Sequence, residues 1–299
     1  MFPTQRHELR RIFTDVSMTL IVYTALISLL STLYNLPYYL GMPDLYYSDW
    51  YYHLGTPVIV YPAGFLVMFL GLRHLPTPRL VPQREPELKQ ILSGLMASLG
   101  LLYLASLFTQ YLLMGTETQN LLDDYMTETP TELLILTTVI IAPICEELIF
   151  RKLLQDRLLF LGDWTAILIS SFFFGLFHTN LYQFFYATAV GMALGYIRII
   201  TGRMKWNILL HMFINLFCGV LTDYYYDSEI FDALVSLVII CSMVYAIYYL
   251  VRNKPWRELY PGPTNIPGRE KVIACLTSVT FWVCTALHLG LSVYAILPY

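Results

Sequence analysis

The feature that most restricts the fold of this 299-residue chain is a series of nine apolar runs, each near the length of helix that crosses a bilayer. The runs do not alternate apolar and polar residues as membrane barrel strands do, so they predict helices. Only 13% of the residues are charged, which excludes soluble, nucleic-acid-binding and disordered proteins. The sequence therefore predicts an all-α, polytopic membrane helix bundle with about eight to nine transmembrane helices. Five runs are uninterrupted (Val16–Tyr34, Thr56–Leu72, Ile91–Met114, Ala233–Val251, Val272–Leu297), and four are shorter or contain polar groups (Thr131–Phe150, Trp164–His178, Leu181–Ile197, Trp206–Leu221).

Positive charge is distributed asymmetrically between the connections of these runs. All 18 Lys and Arg residues lie in alternate connections, and the intervening ones contain none. Because cytoplasmic loops are enriched in Lys and Arg, this pattern predicts a cytoplasmic N-terminus and an external Tyr299. The first run leads into a tyrosine-rich loop without a small-residue cleavage site, so we expect no cleaved signal peptide. The basic segments are Phe2–Asp15, Arg73–Gln90, Arg151–Asp163, Arg198–Lys205 and Arg252–Lys271.

The cysteines give no sign of a disulfide framework. Their number is odd and none lies in an external connection. Cys145 adjoins Glu146, which leaves a thiol nucleophile as an alternative, but such cysteines more often pack as small apolar residues. The five cysteines are Cys145, Cys218, Cys241, Cys275 and Cys284.

Ionisable groups occur in three of the four weaker runs, where insertion into the membrane costs at least ~2.5–3.5 kcal/mol and marks functional candidates. In the first of these runs, Glu147 and Arg151 are one helical turn apart, in the favourable order for an ion pair. Glu146 faces another direction and is left as a candidate general base. Pro143 removes a backbone hydrogen bond and can kink the helix just before it. The alternative is a structural acid–base network between helices.

The other polar groups are His178 and the pair His211 and Asn215. Residues four apart share a helix face, so His211 and Asn215 can donate hydrogen bonds to one oxyanion or hold a water. Hydrogen bonding between helices is the alternative for this pair, and packing is the alternative for His178.

Small residues recur at four-residue spacing in the sixth run, at Ala187, Gly191 and Gly195. Small residues at this spacing let membrane helices approach closely. We therefore expect Gly191 and Gly195 to pack at the centre of the bundle.

Three polar motifs thus follow one another, Glu146-Glu147-x-x-x-Arg151, Phe174-x-x-x-His178 and His211-x-x-x-Asn215. Their order and spacing resemble the motifs of the CPBP intramembrane proteases, a family named after CAAX-prenyl protease type II and bacteriocin-processing or immunity proteins. The resemblance covers about Thr131–Leu221, under a third of the chain. We accordingly divide one integral membrane unit into N-terminal helices (1–130), a CPBP-like helical core (131–221) and C-terminal helices (222–299).

The resemblance implies a hydrolase that cleaves a peptide bond within the membrane. It implies that Glu146 activates water with the help of His178, and that His211 and Asn215 stabilise the oxyanion. The implied substrate is a membrane-associated peptide or lipid-modified protein among membrane lipids, with no nucleic acid. The implied location is a bacterial plasma membrane rather than the endoplasmic reticulum. The resemblance also implies that Glu147 and Arg151 support the shape of the site and balance its charge.

Other functions stay open on the sequence alone. In a zinc-dependent protease, Glu146, His178 and His211 would ligate the metal together with a water. We expect no cofactor, because HExxH is absent from the sequence and Asn215 is a better oxyanion donor than zinc ligand. A non-catalytic immunity or assembly protein would keep the motifs for packing. A transporter is the weakest alternative, because the chain shows no internal repeat.

Depths in the membrane do not agree among the candidate residues. At ~1.5 Å per residue from the nearest cytoplasmic end, His211 lies about 9 Å deep and His178 about 21 Å deep. Glu146 lies about 7 or 16 Å deep, depending on whether Arg151 or Arg157 marks the surface. A single site therefore requires tilted helices, a cytoplasmic cleft around Arg151, or different helix ends.

Overall fold

The computed structural model describes residues 3–77, 85–118, 120–222 and 228–297. All regular elements in these ranges are helical, so the predicted all-α membrane bundle is confirmed. The helices are α1 (Pro3–Tyr34), α2 (Leu36–Tyr39), α3 (Pro43–Tyr46), α4 (Asp49–Leu72), α5 (Leu88–Leu113), α6 (Leu121–Glu128), α7 (Thr131–Leu161), α8 (Asp163–Phe177), α9 (Leu181–Thr201), α10 (Met204–Leu221), α11 (Glu229–Asn253), α12 (Gly268–Leu276) and α13 (Val279–Tyr294), with a short 3₁₀ turn at Pro255–Arg257.

The number of membrane spans is slightly lower than the number of apolar runs. Within the described ranges, seven helices are long and apolar enough to cross a membrane, and α12 with α13, bent by 65°, gives an eighth. Helix α8 has only 15 residues and reaches about 22 Å, less than the ~30 Å hydrocarbon core. Every run is nevertheless helical, and the last one, Val272–Leu297, is divided between α12 and α13. The orientation stays a prediction, and Arg79, Arg84 and Tyr299 lie outside the described residues.

Helix α7 is longer than its apolar run, which corrects the predicted basic connection Arg151–Asp163. The helix continues past Phe150 to Leu161, so Arg151, Lys152 and Arg157 belong to it. Arg151 is fully buried, and Arg157 is buried with its Nη1 donating to the carbonyl oxygens of Leu72 and Leu75 at 2.8 and 3.2 Å. The apolar run ends at Phe150 because Arg151 follows, whereas the helix continues because both arginines find partners inside the bundle.

Two stretches of α7 have π-helical hydrogen bonding, Ile135–Ile141 and Glu147–Gln155. Such wide turns often lie at functional sites, because they leave backbone groups unpaired and re-aim side chains. Here they lie on both sides of Ala142–Glu146, the segment that contains Pro143. The irregular backbone therefore coincides with the predicted acidic motif.

Helix α9 lies inside the bundle and packs against α5 on one side and α8 on the other. Gly191 is buried, and a Cβ atom there would lie 3.1 Å from the Cβ atom of Ser171. A Cβ atom at Gly195 would lie 2.7 Å from Oε1 of Gln155, whose Nε2 donates to the Gly195 carbonyl oxygen at 2.9 Å. These glycines lie where α9 meets α8 and α7, the position that their spacing predicts.

Candidate active site

Glu147 is the centre of a buried polar cluster between α7 and α10. Its side chain has no exposed surface. Oε2 lies 3.3 Å from Nε of Arg151, and Oε1 accepts a 3.1 Å hydrogen bond from Nδ1 of His211. Asn207 also donates to Oε2, at 3.3 Å. The structure thus places Glu147 and Arg151 at ion-pair distance, as their spacing predicts, and joins them to the histidine of α10.

Arg151 is held from three directions. Besides its ion pair with Glu147, its Nη1 donates to Oγ of Ser170 at 2.9 Å, and Ser170 in turn donates to the Phe150 carbonyl oxygen at 2.8 Å. The guanidinium lies over the ring of Phe174, 4.9 Å from its centroid, which is a cation–π distance. The cation is therefore fixed in position, and it can anchor the carboxylate of Glu147.

Glu146 occupies a different environment from its neighbour. Its side chain is 19% exposed, whereas that of Glu147 is 0% exposed. Oε1 accepts a 3.2 Å hydrogen bond from the hydroxyl of Tyr61 in α4, and Oε2 lies 3.8 Å from Nε2 of His211. The latter distance is too long for a direct hydrogen bond. Glu146 is thus the more accessible of the two carboxylates and faces an imidazole.

The hydrogen-bond partner of His211 determines which of its two ring nitrogens carries a proton. A carboxylate can only accept hydrogen bonds, so Nδ1 must carry a proton in order to bond with Glu147. A neutral His211 therefore has an unprotonated Nε2, and only the doubly protonated ring presents an N–H at that position. Nε2 is the atom that faces Glu146.

His178 follows directly after the last residue of α8, and its ring is half-buried. Its Nδ1 donates to the Phe174 carbonyl oxygen at 2.8 Å, since a carbonyl only accepts, and this leaves Nε2 as the free ring nitrogen. The Phe174 ring contacts both imidazoles, with centroid distances of 4.9 Å to His178 and 5.9 Å to His211. The two histidines therefore lie against the same aromatic ring.

The turn after His178 is conformationally unusual. Thr179 has φ of 46°, in the left-handed region that a β-branched residue rarely adopts. Asn180 then caps the N-terminus of α9, and its Oδ1 accepts from the Tyr182 backbone N–H at 2.9 Å. This tight turn fixes the position of His178 relative to α9.

Asn215 connects α10 to the first π-helical stretch of α7. Its Nδ2 donates to the Thr138 carbonyl oxygen at 2.9 Å. In this stretch the Ala142 N–H donates to the Thr137 carbonyl oxygen, five residues earlier. In the same pattern the Thr138 carbonyl would accept from residue 143, but proline has no backbone N–H. Asn215 therefore occupies a carbonyl that Pro143 leaves free. One further N–H of its amide stays available for another acceptor.

Comparison with known proteins gives a family and a relative for this chain. The family described as Type II CAAX prenyl endopeptidase Rce1-like matches residues 129–217. The chain is also 30% identical over 176 residues to a Bacillus subtilis (strain 168) protein described as "Putative membrane peptidase YdiL", an alignment that covers 55% of this chain and 70% of the relative. This chain belongs to the CPBP family of intramembrane proteases. No solved structure matches it.

This CPBP protein is an integral, multi-pass membrane protease. The relative is bacterial, which agrees with the expected bacterial plasma membrane. The matched segment contains all of the predicted site residues, from Glu146 to Asn215, but neither comparison assigns them a role. Their roles therefore stay predictions at this point.

The structure adds two polar residues to the site that the sequence interpretation missed. Asn207 bonds to Glu147 and, at 2.6 Å, to the Leu194 carbonyl oxygen. It lies four residues before His211, so the face defined by His211 and Asn215 already pointed to it. Tyr61 had no comparable signal, because it lies in another apolar run of a chain with 24 tyrosines.

Glu147 and His211 meet in the structure although they lie at different distances from the ends of their helices. Leu161, the end of α7, lies 14 residues or about 21 Å beyond Glu147, whereas His211 lies seven residues or about 10 Å beyond the start of α10 at Met204. These two residues nevertheless form a hydrogen bond. Neither Arg151 nor Arg157 marks the end of α7, so both depths predicted for Glu146 start from a wrong helix end.

Each imidazole of the site has one ring nitrogen engaged in a hydrogen bond. Among the described residues, no three His, Cys, Asp or Glu side chains are placed to hold one ion. Nδ1 of His211 donates to Glu147 and Nδ1 of His178 donates to a carbonyl, so each ring could offer only Nε2 to a metal. All five cysteines are free thiols.

Proposed function

We propose that this CPBP protein hydrolyses a peptide bond in a membrane-associated peptide or lipid-modified protein, with a metal-free mechanism in which Glu146 activates water. The observation that carries the proposal is the gap between Oε2 of Glu146 and Nε2 of His211, which are 3.8 Å apart at the edge of a buried charged cluster. Neither atom can bond directly to the other at this distance, and both can bond to a water or substrate oxygen between them.

In the proposed reaction, Oε2 of Glu146 takes a proton from water while the water oxygen attacks the peptide carbonyl carbon. Nε2 of His178 accepts the second hydrogen of the same water and orients it. The carbonyl oxygen becomes an oxyanion. The C–N bond then breaks as Glu146 returns the proton to the leaving amine, and a carboxylic acid and an amine result.

His211 and the remaining N–H of Asn215 stabilise the oxyanion in this proposal. Because Nδ1 of His211 is bonded to Glu147, Nε2 can donate only when the ring is doubly protonated. Two carboxylates, one guanidinium and one imidazolium then sum to zero charge. Glu147 and Arg151 accordingly orient His211 and balance its charge, and Asn207 fixes the second oxygen of Glu147.

The matching family description suggests which substrates to test first. Type II CAAX prenyl endopeptidase refers to cleavage of prenylated C-terminal segments. We propose that candidate substrates be compared as a pair, an internally quenched peptide with a farnesylated C-terminal tetrapeptide motif and the same peptide without the lipid, in proteoliposomes. Preference for the farnesylated peptide supports a lipid-modified protein as substrate, and equal cleavage supports an unmodified membrane peptide.

The decisive variant is Glu146→Gln, which keeps the shape and removes the base. We expect turnover to fall by about 10²–10⁴-fold, the usual contribution of a general base. Glu132→Gln is the matched control, because Glu132 is an exposed glutamate of the same helix. Retained cleavage in Glu146→Gln would contradict the proposal, and no cleavage of any membrane peptide by the wild type would favour a non-catalytic assembly role.

Chelation separates the metal-free mechanism from the zinc alternative. We expect cleavage to be unchanged after dialysis against a strong chelator. Loss of activity that Zn²⁺ restores, together with stoichiometric zinc in the protein, would contradict the metal-free mechanism. It would indicate instead that Glu146, His178 and His211 ligate a zinc ion that activates the water.

A further inference from the structure

Tyr61 in α4 contacts the carboxylate that the mechanism uses, although it lies outside the segment matched by the family. Its hydroxyl donates to Oε1 of Glu146 at 3.2 Å, and its ring is half-buried. The hydroxyl is a donor here because an ionised carboxylate only accepts. A residue 85 positions away in sequence therefore touches the candidate base directly.

The contact makes the two oxygens of Glu146 unequal. Oε1 is occupied by Tyr61, whereas Oε2 lies 3.8 Å from Nε2 of His211. The terminal torsion of a glutamate has a broad distribution, so an unrestrained carboxylate can turn either oxygen, or neither, toward the histidine. The hydrogen bond from Tyr61 removes this freedom.

We propose that Tyr61 is a positioning residue, which holds Oε1 of Glu146 so that Oε2 is the oxygen that takes the proton from water. This inference rests on the proposed function of Glu146. Tyr61 does not touch the substrate or exchange a proton in the reaction, since its O–H bond stays intact throughout. It acts through the orientation of the carboxylate alone.

The backbone of α4 is built to place this side chain. The π-helical stretch Thr56–Val60 ends directly before Tyr61, and Pro62 follows. The Tyr23 hydroxyl of α1 donates to the Val60 carbonyl oxygen at 3.2 Å, and the Tyr23 ring lies where any side chain at Gly64 would collide with it. Tyr61 therefore projects from a firmly packed segment, as a positioning residue requires.

The test is Tyr61→Phe, which removes one hydroxyl and keeps the ring. The lost hydrogen bond is made to a charged group, so we expect kcat to fall about 10- to 100-fold with KM unchanged. Tyr51→Phe is the matched control, because it removes a phenol of the same helix that donates to the Tyr34 carbonyl oxygen and not to Glu146. We expect that control to retain cleavage within about twofold, since its ring still stacks on Tyr34.

A double-mutant cycle distinguishes positioning from a general packing effect. Glu146→Asp shortens the side chain by one methylene and withdraws the carboxylate from Tyr61. We therefore expect Tyr61→Phe to have no further effect on kcat in the Glu146→Asp background. Additive losses in the cycle, or a kcat that is unchanged or raised in Tyr61→Phe alone, would overturn the inference.

Infrared spectroscopy gives a readout that needs no substrate. The difference between wild-type and Glu146→Gln spectra identifies the carboxylate stretch of Glu146, and we expect this band to move in Tyr61→Phe but not in Tyr51→Phe. An unmoved band would mean that the contact has no influence on the carboxylate. If Glu146→Gln retains cleavage, the proposed function fails; if only Tyr61→Phe retains it, the positioning role fails.

Discussion

Replacing Arg151 by Met tests the energetics of the buried cluster. The Arg151 and Glu147 side chains both have 0% exposure, and Nε and Oε2 are 3.3 Å apart. Removing one partner of a buried ion pair costs about 3–5 kcal/mol, because the remaining charge is uncompensated. His211 and Asn207 still donate to Glu147 in the variant, so we expect the free energy of unfolding to fall by about 3 kcal/mol, the lower limit.

Unfolding of the purified protein by SDS in mixed micelles, followed by circular dichroism, measures this loss. Lys152→Met is the matched control, since Lys152 adjoins Arg151 and pairs with Asp156 at 3.1 Å, but its side chain is 49% exposed. We expect the control to lose less than about 1 kcal/mol, as half-exposed pairs contribute little. Equal losses in the two variants would refute the assignment of Arg151 to a desolvated pair.

The double variant Glu147→Leu with Arg151→Met separates stability from activity. With both charges removed, we expect the free energy of unfolding to return to within about 1 kcal/mol of wild type. Cleavage should nevertheless be lost, because Nδ1 of His211 no longer has its acceptor and the ring is not held toward Glu146. A stable and fully active double variant would show that the pair has no part in orienting His211.

Three further results are expected. Asn215→Ala should lower kcat by about 10²–10³-fold with little change in KM, as measured with the quenched peptide, because it removes a donor to the oxyanion. Gly195→Ala should destabilise the protein in SDS titration, whereas Gly268→Ala should not, since an added Cβ meets Gln155 at 2.7 Å only at the former. Hydrogen bonds from Lys205 and Trp206 hold the pKa of Glu85 below its usual value. The hydrogen bonds therefore persist at any pH above the usual pKa of a glutamate, and they weaken as the pH falls through the lowered pKa of Glu85. Trp206 fluorescence should report this transition at acid pH in the wild type but not in Glu85→Gln.

The helices and the main features of the polar cluster could be predicted from the sequence because both depend on local periodicity. Apolar runs near 20 residues specify membrane helices whatever their neighbours are. A four-residue spacing likewise places Glu147 beside Arg151 on one helix, and the structure has these groups 3.3 Å apart. The same spacing predicts the polar face of α10, and Asn207 lies on that face four residues before His211.

Contacts between distant segments could not be predicted in this way. The sequence predicts a helix end at Phe150 because charged residues follow, yet Arg151 and Arg157 are buried in the bundle with partners on other helices. The hydrogen bond from Tyr61 to Glu146 depends on how α4 packs against α7, and no spacing within either helix specifies it. Single-sequence patterns describe the faces of helices, whereas the pairing of those faces is a tertiary property.

Charge balance explains how so many ionisable groups can lie within membrane helices. Glu147 on α7 alone would be an unpaired charge at a depth where insertion is costly, and Arg151 one turn away compensates it before any tertiary contact forms. Glu146 has no such partner within its helix and is compensated only when α10 brings His211 and α4 brings Tyr61 to it. The same docking that makes the second carboxylate tolerable also assembles the proposed water site. A variant that prevents α10 from docking should therefore lose stability and activity together, whereas Glu146→Gln should lose activity alone.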